Sequence, residues 1–175
     1  MRVEIGAMVI AVVGVAGTLG GALMTQRGAE RTKRREIELV RAHEEVRENL
    51  ALRRDCYTAL NRDSRQFTTA LNRHLHALRE RGVEDTDREE LDAAKAAHRD
   101  TYSEAQMIAP DGVLDAATAA NHALNLVYGQ VKRLERDDPE AGETMETVSR
   151  AQQEIWDLLR EMRAAMRADL GVSSD

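Results

Sequence analysis

The sequence predicts an all-α protein: a membrane-crossing helix at the N-terminus, followed by an antiparallel bundle of long helices. Three observations carry that expectation. Residues 5–26 form a run of 22 residues without a single charge. Apolar residues then recur at gaps of 7, 4 or 3 through 39–78. Finally, the composition favours helix: Ala, Leu, Arg and Glu dominate, aromatics make up 3%, and proline occurs only at Pro110 and Pro139. A sandwich or barrel wants more aromatic and β-branched residues than this chain holds.

The charge-free run comes first. At about 1.5 Å per residue it makes roughly 33 Å of helix, which matches a hydrocarbon core of about 30 Å. A cleaved signal peptide competes, because Gly20-Gly21-Ala22 has the small-x-small form of a cleavage site. The charge pattern argues against it. Arg2 is offset by Glu4, and the basic residues follow the run, at Arg27, Arg31, Lys33, Arg34 and Arg35. Cations beside an apolar span stay on the cytoplasmic side, so the C-terminal body is expected inside the cell, tethered by a single pass. The same basic flank suits an anionic leaflet. Within the run, Ala7, Ala11, Gly14, Thr18 and Gly21 share one stripe, which lets helix backbones approach closely and suggests a packing face for a second copy or another helix.

The body divides into helices by its punctuation. The expected domains are an anchor over 1–28, a bundle over 29–171 and a frayed tail over 172–175. The first bundle helix is expected over 29–81, stopped by Gly82. Its seam reads Leu39, Val46, Leu50, Tyr57, Leu60, Phe67, Leu71 and Leu78, a heptad pattern. His43, Arg53, Ser64 and His74 occupy the intervening seam positions, which fits a bundle with a looser or register-specific core better than a plain two-stranded coil. Only Gly28 separates this helix from the span. Thr86 and Glu89 have capping-box spacing for a second helix. Its inner face is expected to be Leu91, Ala94, Tyr102, Ala105 and Ile108, with His98 between. Ala93, Ala94, Ala96 and Ala97 leave room for a close neighbour.

Pro110 either reverses the chain or kinks one long helix over 87–136. A four-helix bundle is the preferred reading and a three-helix bundle with a Pro110 kink the alternative. In the preferred reading, Pro110 at N1 opens a third helix to about Arg136, with Leu114, Ala117, Leu124, Val127, Val131 and Leu134 inward. Asp138 as N-cap and Pro139 at N1 open the last helix, with Met145, Val148, Ile155, Leu158, Leu159, Met162 and Met166 inward and Gly171 as its stop.

Chemistry is sparse. Cys56 is the only cysteine, so neither an intramolecular disulfide nor cysteine-rich zinc ligation is expected. The histidines at 43, 74, 76, 98 and 122 form no His-x-x-x-His pair and no Glu-x-x-His motif, so a di-iron bundle is unsupported. There is no phosphate loop and no Gly-x-Ser-x-Gly elbow. No catalytic residue, metal or cofactor is therefore expected. Residues 1–55 carry ten Lys+Arg against eight Asp+Glu, whereas the remainder carries fifteen against twenty-three. An acidic, aromatic-poor body is a poor nucleic-acid binder. Trp156, the lone tryptophan, is expected to anchor either the core or a partner interface.

Three stretches, 53–57 (Arg-Arg-Asp-Cys-Tyr), 108–111 (Ile-Ala-Pro-Asp) and 163–171 (Arg-Ala-Ala-Met-Arg-Ala-Asp-Leu-Gly), resemble a loose group of uncharacterised actinobacterial proteins with a short single-pass anchor and Arg/Ala-rich helices. The resemblance implies a lineage, with no activity attached. Taken together, these readings lead to the expectation of a membrane-tethered interaction or scaffold protein, with a homo-oligomer or an unknown protein as its partner. The alternatives are a signal-transmitting membrane subunit, or a phage or lysis-related protein with an exported body.

Overall fold

The computed structural model describes residues 3–172, with the side chains of residues up to 32, and of 34 and 35, outside the described set. Four helices follow one another: α1 (Val3–Glu80), α2 (Asp85–Ile108), α3 (Asp111–Glu135) and α4 (Met145–Asp169). No strand occurs among the described residues. The chain divides into two compact units, Met1–Glu48 and Asn49–Asp175.

The second unit is an antiparallel four-helix bundle. Contacts down its length fix the topology. Ser64 of α1 meets His98 of α2, and Arg73 meets Glu90, so α2 runs back along α1. Tyr102 meets Thr118 and Asp92 meets Tyr128, so α3 reverses again. Arg53 meets Asp169 and Thr68 meets Gln152, so α4 returns antiparallel to α1. Pro110 is therefore a chain reversal, not a kink. Its ψ of 160° is the extended conformation that turns the chain, and Ala109 before it is extended too (ψ 141°), as a residue preceding proline prefers. Pro110 sits at the N-cap itself, one position earlier than expected, and its carbonyl accepts from the Val113 and Leu114 amides.

Two other helix starts differ from expectation. α2 is capped two residues earlier than the Thr86–Glu89 box: the Glu84 amide donates to the Asp87 carboxylate at 2.9 Å. α4 does not begin at Asp138-Pro139. Asp137 takes a positive φ of 57°, and the Asp137 and Asp138 amides donate to the Leu134 and Arg133 carbonyls, the Schellman closure of α3. Asp138 is thus consumed in ending one helix rather than starting the next. Gly142 then turns left-handed at φ 87°, and Thr144 caps α4, with the Thr147 amide donating to its Oγ1 at 3.2 Å. Gly82 and Gly171, the expected stops of α1 and α4, hold φ of 84° and 69°, where a side chain would be strained.

The core is aliphatic and alanine-rich, built around Phe67, Leu60, Leu71, Leu91, Leu124, Ile155 and Met162, all at or below 2% exposure. The seam of α1 enters it at Tyr57 and stays inside through His74, with Leu78 half-buried. α3 turns Ala117, Leu124, Val127 and Val131 inward as expected; Val113 and Ala120 join them, while Leu114 and Leu134 are only partly covered. In α4 Gln152 is buried at a seam position and Leu158 is half-buried.

The described residues of the Met1–Glu48 unit are all helical. Leu39 is 62% exposed and Val46 57%. Among the described residues the predicted seam is therefore exposed from Leu39 to Leu50. Among the described residues no helix is long and apolar enough to cross a membrane. The predicted span 5–26, its stripe Ala7, Ala11, Gly14, Thr18 and Gly21, and the flank residues Arg27, Arg31, Arg34 and Arg35 all have side chains outside that set, and Lys33 is exposed.

Candidate functional site

Two kinds of feature stand out in the bundle: polar layers buried inside it, and two clefts on the outer side of α1.

The first polar layer draws on all four helices. Ser64 Oγ lies 2.7 Å from the Leu60 carbonyl and 3.1 Å from His98 Nδ1. The His98 Nε2 side faces Asn121 Oδ1 at 3.2 Å, and that oxygen also accepts from Asn125 Nδ2 at 2.8 Å. One turn along, Gln152 Nε2 donates to the Thr68 carbonyl at 3.1 Å. Burial pushes the His98 imidazole down from its ordinary range, against the hydrogen bond to Asn121 and the nearby Asp63 carboxylate, so the ring is neutral at pH 7. A serine, a histidine and an asparagine in a row carry the residue types of a nucleophilic relay. Ser64, however, is 0% exposed, so its oxygen is closed off from solvent in this structure. What the layer does is hold register: a slip of one helix leaves several buried groups unpaired, at about 1–3 kcal/mol each.

The second layer closes the end of the bundle where α1 stops. Glu135 takes His74 Nε2 at 3.1 Å, Lys132 Nζ at 2.7 Å and the Arg88 guanidinium. Burial works to raise the Glu135 carboxyl, but the Lys132 and Arg88 hydrogen bonds win and lower it to about 2. His74 is 1% exposed and its Nδ1 finds no partner. At the opposite end, Tyr57 Oη donates to Asp169 at 2.7 Å and Arg53 lies 3.3 Å from the same carboxylate. Here the tertiary structure joins residues from two of the stretches that carried the family resemblance, 53–57 and 163–171.

Of the seam interruptions, Ser64 and His74 became buried polar groups, Arg53 an end clasp, and His43 an exposed residue whose Nδ1 donates to the Leu39 carbonyl at 2.7 Å. Asn121, Gln152 and Glu135 escaped sequence reasoning. Gln152 had a legible signal, since it sits on the 148, 155, 159, 162 seam of α4. Asn121 and Glu135 had none, because their partners lie on other helices.

The larger outer cleft runs between α1 and α2 and has a volume of about 650 Å³. Ala70, Ala93, Ala94 and Ala97 form its floor, and Arg62, Arg65, Arg73 and Glu90 its rim. The alanine-rich first half of α2 lines this groove, with Ala94 and Ala97 half-buried and Ala93 exposed. Arg62 reaches the buried Asp63 at 2.7 Å, and Arg73 pairs with Glu90. Arg65 has no carboxylate partner among the described residues. Its guanidinium lies over the Trp156 ring, 5.3 Å from the centroid.

Trp156 is half-buried, packed on the core with its remaining edge in a second cleft of about 270 Å³ between α1 and α4. Asn61, Arg65, Leu159, Arg160 and Arg163 share that cleft. The body of the Trp156 ring packs on the core, as one of the two expectations has it, and its edge lines the surface. Arg65 borders both clefts and couples the groove to the tryptophan. Among the described residues no group of three or more His, Cys, Asp or Glu is placed to hold a metal ion.

The chain matches no family model, no curated protein and no solved structure.

Proposed function

We propose that the protein is a non-catalytic interaction or scaffold protein, tethered to the cell membrane by residues 5–26, whose helical bundle holds a protein partner at the cytoplasmic face. The observation that carries the reading is the pairing of a 22-residue charge-free run with a bundle whose polar layers join side chains of different helices and whose open clefts lie on its outside. The basic flank 27–35 supports the cytoplasmic orientation. The lineage suggested by the family resemblance is compatible with it and adds no activity.

Detergent extraction followed by size-exclusion chromatography tests the tether and the partner together. The expected result is a membrane-fraction protein that co-elutes with a partner or a second copy. A chain that always elutes as a lone monomer overturns the scaffold reading. A reporter fused after Asp175 that is active only outside the cell overturns the orientation and favours an exported, lysis-related body.

A second reading, a signal-transmitting subunit, is favoured by one observation: the helix assignment of α1 carries through Gly28 without a break. That reading expects a two-glycine insertion after Gly28 to abolish any output while leaving membrane insertion intact.

A further inference from the structure

We infer that the α1–α2 groove is the partner site, and that it takes an acidic amphipathic helix with bulky aliphatic side chains on one face. The inference rests on the scaffold reading and names its docking surface and the chemistry of the partner.

The shape argument comes first. The floor is Ala70, Ala93, Ala94 and Ala97, with about 650 Å³ above it. Alanines across from one another usually bring two helices together. Here α1 and α2 leave a recess beside the buried Ala70 and the half-buried Ala94 and Ala97, with Gln66, Thr69 and Ala93 exposed along it. Along α1 the recess runs from Arg62 to Arg73, roughly 16 Å at 1.5 Å per residue, or three helical turns. A shallow recess of that length, open on one side, suits leucine-sized side chains projecting from a helix laid into it. An acyl chain asks instead for an enclosed cavity.

The charge argument selects among helices. The bundle and its loops are acidic, with twenty-three Asp+Glu against fifteen Lys+Arg beyond residue 55. The rim reverses that balance, with Arg62, Arg65 and Arg73 against Glu90. Arg62 and Arg73 are more than 60% exposed and each faces one carboxylate, which leaves donors on both guanidiniums for another. Arg65 faces none among the described residues. A carboxylate on an incoming helix competes with the Trp156 ring for Arg65, because a charge-assisted fork outweighs an exposed cation–π contact. Occupancy therefore changes the surroundings of the only tryptophan in the chain.

The test uses the full chain in detergent and two synthetic helical peptides with the same leucine stripe, one flanked by Glu and one by Lys. Trp156 emission follows the titration. The Glu-flanked peptide is expected to change the emission and to bind at least tenfold more tightly than its Lys twin, with affinity falling as salt rises. Arg73→Glu and, separately, Ala93→Leu, which fills the recess from an exposed position, are each expected to weaken binding at least tenfold with unchanged circular dichroism. The inference is overturned if the two peptides bind alike, if neither variant weakens binding, or if short-chain phosphatidylglycerol displaces the peptide and reproduces the emission change, which makes the occupant a lipid headgroup. It is also overturned if the peptide fails while a native partner still co-elutes from membranes; that result leaves the scaffold standing on another surface. If the groove binds the peptide and the native chain is always a lone monomer, the scaffold reading falls and the site stands.

Discussion

Helix α1 carries one heptad register through two very different settings. Between Tyr57 and His74 the seam is buried under α2, α3 and α4, and residues such as Leu60, Phe67 and Leu71 are wholly inside. Between Leu39 and Leu50 the same spacing continues, but Leu39, Val46 and Leu50 are exposed. The local pattern is indistinguishable, so the difference lies in length. α2 ends at Ile108 and α4 at Asp169, and the clasp of Asp169 on Arg53 and Tyr57 marks where partner helices run out. A periodic apolar face thus states which side of a helix avoids water; it does not state what will cover that side.

The comparison is open to attack by mutation. The largest expected effect is Phe67→Ala, a fully buried aromatic whose loss leaves a cavity, at about 3–5 kcal/mol. Leu39→Ala, on the same seam, is expected within about 0.5 kcal/mol in the isolated chain. Denaturant melts of the two variants in detergent measure both. Equal losses at the two positions mean that the upper seam is covered, and the contrast fails.

Next in size is the Ser64–His98 layer. Ser64→Ala leaves the His98 ring a partner short inside the core, and the expected loss is about 1–3 kcal/mol. Replacing both partners, with His98→Phe added, is expected to recover part of that loss. A double variant no better than the sum of the singles means that the layer is not a coupled unit.

Acid should act on the lower half of the bundle in two stages. The His98 pKa lies below its unfolded value of 6.5, so the folded state binds fewer protons. Its contribution is complete above 6.5 and drains away as pH falls below that value. Glu135 sits at about 2 against 4.5 unfolded. Its contribution is present above 4.5 and lost as pH falls from there towards 2, on the order of 1–3 kcal/mol after allowing for partial solvent screening. Thermal melts from pH 7 to pH 2.5 show the loss, and Glu135→Gln is expected to flatten the lower stage. A wild-type melt that does not move below pH 4.5 removes Glu135 from the account.

The smallest expected effect concerns the start of α4. Thr144→Ala should cost about 1 kcal/mol as a lost cap, and Asp138→Ala clearly less, because Asp138 caps nothing. The reverse order restores the start at Pro139.

These contrasts also show how much was legible beforehand. The four helices, the reversal at Pro110 and the stops at Gly82 and Gly171 follow from local chemistry: proline geometry and the left-handed freedom of glycine act within a few residues. The cap at Thr144 was missed because Asp138-Pro139 carries an equally good local signal. Leu134 and Arg133 take the Asp137 and Asp138 amides first, and competition between two adjacent helix ends is not written in either one. Ala93, Ala94 and Ala97 were legible as a small face. That the face forms an open groove rimmed by three arginines was not, because the rim comes mostly from α1, more than twenty residues earlier.

By itself the sequence determined the helices, the side each turns inward, the 22-residue charge-free run at 5–26, and the polar interruptions of the seam at Ser64 and His74. Spacing, propensity and capping all operate over one or two turns. Only the tertiary structure decided that Ser64 answers His98 and Asn121, that His74 answers Glu135, and that Arg65 lies between a groove and the tryptophan. Those pairings depend on helix register and rotation in three dimensions. That register is set by the summed packing of the core, which no stretch of a few residues specifies alone.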